Sequence, residues 1–133
     1  AYTIKVAVGK TGLSFDTALV SGILCNIHVC AAVLLALSSK DVTGKLLACF
    51  FIILLFVTSG YEHCVANMYY ISAGLFAKLN PDYVAKCIEA YGMTQAQIDG
   101  LSIGGFVMNL IPVTIGNIIG GSVCVGLPMV KTK

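Results

Sequence analysis

The chain has 133 residues, of which 58% are hydrophobic and only 11% charged, with a mean hydropathy of +0.93. Soluble domains carry about a quarter charged residues, so this composition excludes an ordinary soluble globule and describes a membrane protein. Eight basic residues, all Lys, against six acids give a net charge of +2, which leaves neither a basic stripe nor the Arg forks that nucleic acids require.

The first apolar run, 18–37, has no formal charge, and its only strongly polar side chains are Asn26 and His28. It has the length that crosses a hydrocarbon core. Lys5 and Lys10 lie too far upstream for a signal peptide, and no cleavage site follows. The second run, 46–77, is about 32 residues, roughly 48 Å as one straight helix, well beyond a core of about 30 Å. It therefore breaks, and the polar residues between 58 and 67 mark where. The segment 78–100 is polar: Asn80-Pro81 opens a short surface helix that Gly92 closes. Thr94 with Gln97 is a capping box leading into the last span. That span, 103–130, carries Asn109, Pro112, Asn117 and several glycines. Pro112 is expected to kink it, and Gly116 with Gly120 have the spacing that lets helices approach closely. Lys5, Lys10, Lys78 and Lys86 fall on one side of such a three-span chain and Lys40, Lys45, Lys131 and Lys133 on the other, a tie that leaves orientation undetermined by charge.

Glu62 and His63 sit in the broken span, where ionisable groups are costly and mark a pathway, a proton relay or a paired interior site. A helix restarted inside a membrane aims free N–H groups at an anion, and an imidazole adds a switchable charge. Asn67 follows His63 by four positions and would share a helical face with it. Asn26 and Asn117 lie mid-span, where a carboxamide can satisfy freed backbone groups. Phe56, seven positions before His63, is open between an ordinary lipid-facing or packing residue and an apolar gate on the same helical side as His63. His28 is open between a hydrogen-bonded interface residue and a second lining group. Five of the six cysteines lie in apolar runs as small buried hydrophobes, Cys87 alone falling in a polar stretch. Cys25, His28, Cys30, His63 and Cys64 diverge too far in helical phase for a metal site, no serine nucleophile has its supporting elbow, and no cofactor site is evident. No enzymatic activity is expected.

The run from Gly60 to Tyr69, with Glu62-His63 and Ala66-Asn67-Met68, resembles the signature that interrupts the fifth helix of the formate/nitrite transporter family. Gly22-Ile23-Leu24-Cys25-Asn26 with Val29-Cys30 resembles that family's fourth helix. Asn109-Leu110-Ile111-Pro112-Val113-Thr114 with Gly116-Asn117-Ile118-Ile119-Gly120-Gly121 resembles its sixth. The resemblance implies an all-α, aquaporin-like membrane fold in which residues 1–133 form the second three-helix half of a six-helix subunit, the first three helices being absent. It also implies a homopentamer with one pore per subunit, in a bacterial inner membrane, conducting formate, nitrite or hydrosulfide. Carried over by position, His63 is the central pore histidine, Asn26 a pore-lining residue, and Val29 with Phe56 the cytoplasmic constriction. Glu62 and Asn67 brace the break. Lys40–Lys45 and the C-terminus would lie inside and 78–100 outside. Ser21 and His28 depart from the basic and bulkier apolar residues of the pattern, and Val33-Leu34-Leu35 replaces its aromatic ending; this polarity fits a divergent branch such as the hydrosulfide channel. The rival expectations are a structural or assembly subunit docking through its glycine-rich third span, with no flux, and a heavy-metal permease.

Overall fold

The computed structural model describes residues 1–131; Thr132 and Lys133, the latter counted in the charge balance, lie outside the described residues. The described chain is helical throughout: α1 (Tyr2–Thr11), α2 (Phe15–Ser38), α3 (Val42–Thr58), α4 (Cys64–Lys78), α5 (Pro81–Tyr91), α6 (Gln95–Asp99), α7 (Ile103–Ile118), a π-helical segment (Ile119–Gly126) and α8 (Leu127–Lys131). Two runs are long and apolar enough to cross a membrane, the 24 residues of α2 and the 29 residues from Ile103 to Lys131. α3 is apolar but shorter, with 17 residues, none of them buried within the chain.

One compact unit comprises Ala1–Thr17 and Cys64–Pro112. Its α1 has no helix signal in the sequence; it buries Ile4 and Ala7 completely, Ile4 against Cys87 and Ile98 and Ala7 against Ile71 and Leu101. Cys87, the one cysteine assigned to polar surroundings, is thus among the most buried residues, because α5 turns a narrow apolar face inward while its other positions stay exposed. The caps of this unit follow the local chemistry. Asn80 Oδ1 accepts from Asp82 N at 2.9 Å, Pro81 takes the first helical position, and Gly92 ends α5 at φ +62. Thr94 and Gln97 exchange both capping-box hydrogen bonds, but the box opens the five-residue α6, separate from α7. Lys78, in the last turn of α4, donates through Nζ to Asp99 O at 3.2 Å and Leu101 O at 3.0 Å, closing the corner between α6 and α7.

The other unit comprises Ala18–His63 and the chain from Val113 onward. Its α2 and α7 approach backbone to backbone. A Cβ on Gly116 would overlap Leu19 O, and one on Gly120 would overlap Ile23 O, so only glycine allows this spacing. The small-residue face is therefore used inside the unit, against α2, and not held in reserve for another membrane protein. Helical geometry runs through Pro112, which is fully buried; the departure from the α-helix falls at Ile119, beyond the proline.

Candidate functional site

The interruption between α3 and α4 is shorter than the sequence indicates, residues 59–63, because Cys64–Asn67 is already helical. α3 stops in a Schellman motif. Gly60, at φ +72, sends its N–H to Val57 O at 3.1 Å, and Tyr61 N–H reaches back to Phe56 O at 3.3 Å. Beyond it, the backbone of Glu62 is satisfied from two other elements of the unit. Its N–H donates to Ser21 Oγ at 3.1 Å, and its carbonyl accepts from Asn117 Nδ2 at 3.0 Å. Irregular backbone in an apolar protein survives only where such partners exist. Glu62 itself is 3% exposed.

Asn117 is the centre of this arrangement. It is 5% exposed, and the same Nδ2 also donates to Gly22 O at 2.8 Å, so both amide hydrogens are spent on main-chain carbonyls. Its own carbonyl accepts from Asn26 Nδ2. Asn26, Glu62 and Asn117, widely separated in the sequence, are thereby gathered into one polar cluster. Ser21, visible beforehand only as a departure from a family pattern, is a full member. A hydroxyl in the same turn as Gly22, one turn before Asn26 on an otherwise apolar helix, is the signal that marks it.

His63 is half-buried at the end of the interruption, its ring 6.3 Å from that of Phe56 at an interplanar angle of 29°. The pairing does not arise from two turns of continuous helix, as the seven-residue spacing implies, since α3 ends at Thr58; the rings meet across the non-helical residues that follow the turn at Gly60. The helical relation of His63 to Asn67 fails likewise, because His63 precedes the first residue of α4. Asn67 is fully buried and belongs to the first unit, where it donates to Asn109 Oδ1 at 2.8 Å. Asn109 in turn donates to Lys10 O at 2.8 Å, near the end of α1. His28 hydrogen bonds through Nδ1 to Leu24 O at 2.7 Å, and its ring lies 5.3 Å from Tyr61. Val29 is half-buried and lines a cleft of 230 Å³ with Cys30, Val33, Val125 and Met129, an almost wholly apolar surface.

The chemistry available is that of an imidazole beside an aromatic ring, on backbone locked by carboxamide and hydroxyl groups, with apolar side chains around it. The formate/nitrite transporter family model matches residues 1–131. The uncharacterized transporter YrhG of Bacillus subtilis is 41% identical over 125 residues, covering 94% of this chain and 39% of that protein. The formate channel FocA of Haemophilus influenzae is 43% identical over 109 residues, 80% of this chain and 37% of that one. Among solved structures, a pentameric formate channel with formate bound superposes with a TM-score of 0.83 at 34% identity, over 98% of this chain and 52% of that chain. The chain thus spans about two fifths of the length of these curated relatives. On the match along residues 1–131, the chain belongs to the formate/nitrite transporter family.

Proposed function

We propose that this chain is part of a membrane channel for small monovalent anions of weak acids, formate or nitrite, with hydrosulfide as the divergent alternative. The observation that carries the proposal is the interruption itself. An apolar chain keeps Glu62 and His63 on non-helical backbone and spends Ser21 and Asn117 on holding it there, an expense that membrane proteins concentrate on pathways. The relatives described as formate channels support the same reading.

In this proposal α3 and α4 are two halves of one broken span, and α2 and the helix from Ile103 are the flanking spans. The three together form the second half of an aquaporin-like, six-helix subunit. The subunit assembles as a pentamer in a bacterial inner membrane, with Lys40–Lys45 on the cytoplasmic side and the α5–α6 segment outside. His63 and Asn26 line the pathway, Val29 and Phe56 form its apolar constriction, and Glu62 and Asn117 support the interruption. An anion beside an imidazole favours the protonated ring. A proton shared between them neutralises the anion for passage between apolar rings, where a bare charge is costly. Flux then rises as pH falls.

The test is uptake of formate, nitrite, hydrosulfide and chloride by proteoliposomes holding the full-length protein, at two pH values, with His63→Ala alongside. Saturable uptake of a weak-acid anion that is steeper at low pH and loses that pH response in His63→Ala is the expected result. Retention of both rate and pH response by the variant would overturn the role of His63. The assembly-subunit alternative predicts no uptake; two of the glycines it would use, Gly116 and Gly120, already seat α2.

A further inference from the structure

The side chain of Asn26 reaches the main-chain carbonyl of Asn117. A carbonyl only accepts, so the amide nitrogen must face it and Oδ1 is turned away. In an α-helix that carbonyl would serve the N–H four residues on, that of Gly121. Here α-helical geometry lasts to Ile118 and a π-helical segment begins at Ile119. A side chain inserted into the hydrogen-bond ladder is one of the few causes of such a change. π segments within α-helices also recur at functional sites.

Gly121 is what admits the amide. A Cβ there would stand 2.5 Å from Asn26 Nδ2 and 3.4 Å from Cys30 Sγ, so any side chain would push Asn26 off the carbonyl. The residue whose carbonyl is captured is the same Asn117 whose side chain holds Glu62 O and Gly22 O. The setting of the Asn117 main chain therefore decides where its carboxamide points.

We propose that Asn26 is a positioning residue: by capturing the Asn117 carbonyl it switches the helix from α to π geometry and aims the Asn117 carboxamide at the interruption, so that Glu62 and His63 are held in place. The consequence for flux rests on the channel reading above. The hydrogen-bond consequence does not.

The experiment uses the full-length protein in lipid with the Asn117 carbonyl ¹³C-labelled. It compares wild type with Asn26→Ala, Gly121→Ala and the double variant. Three quantities are read: the carbonyl chemical shift, amide hydrogen exchange at Glu62 and His63, and the maximal rate and half-saturating concentration of formate uptake. Both single variants should displace the carbonyl signal and speed exchange at Glu62 about 10-fold, the worth of one buried hydrogen bond. Maximal uptake should fall about 10-fold with half-saturation little changed, and the double variant should be no worse than the more severe single one, since both act on one contact. An unmoved carbonyl signal in Asn26→Ala would overturn the proposal, as would a moved signal with unchanged exchange at Glu62, or additive losses in the double variant. If Gly121→Ala does not fold, Asn26→Ala, which adds no bulk, carries the same three readouts. If the wild type takes up none of formate, nitrite and hydrosulfide, the channel reading fails, while the carbonyl and exchange measurements still decide whether Asn26 positions the interruption.

Discussion

Each of the two units holds a buried asparagine of the last long helix, and the two asparagines do different work. Asn109 links Asn67 to Lys10 O, a carbonyl in the last turn of α1, where a helix end leaves acceptors without intrahelical partners. It joins regular helices and finishes one of them. Asn117 donates to Glu62 O, in a stretch with no helix at all, and receives Asn26 where the helix changes type. The same side chain in the same kind of setting thus completes regular structure in one unit and makes irregular structure affordable in the other.

Asn117→Leu is the strongest challenge to that contrast. It removes two donors and leaves Glu62 O without its carboxamide, at a cost of about 3 kcal/mol. Thermal unfolding in detergent should show a lowered midpoint, and anion uptake should be lost altogether. A variant with normal uptake would mean that the interruption does not depend on Asn117. Asn109→Leu removes the acceptor for Asn67 Nδ2 and the donor to Lys10 O, at a cost of about 2 kcal/mol, but its deficit should appear in stability, with the residual folded protein still transporting. Equal losses of uptake per folded molecule in the two variants would erase the distinction between the asparagines. Gly60→Ala sharpens it from the other side. A Cβ at Gly60 meets no neighbour, so the only penalty is the positive φ, about 1 kcal/mol, and it should appear as faster hydrogen exchange at Ser59–Tyr61 with the fold intact.

Much of the first unit was legible in its residues because its signals are local. Asn80-Pro81, Gly92 and the Thr94–Gln97 box carry their own hydrogen-bonding partners within four positions, and the helices they bound stand where those partners require. α1 was not legible. Its ten residues have no strong cap, with Ala1 contributing no side-chain bond, and they are helical because Ile4 and Ala7 find apolar partners far along the chain. Cys87 was misjudged for the same reason: polar neighbours in sequence do not predict which face of α5 turns inward.

Sequence alone determined that the chain is a helical membrane protein, that its second apolar run leaves helical geometry near Glu62-His63, and which family it belongs to, since length, hydropathy and ordered motifs are properties of the chain itself. Tertiary structure decided what holds the interruption open. Ser21 and Asn117 reach it from other helices, Phe56 meets His63 across non-helical backbone and not along a continuous helix, and Asn26 captures a carbonyl that lies 91 positions away in sequence. Backbone groups in an apolar medium must find partners wherever the fold supplies them, and no local pattern of residues states where that will be.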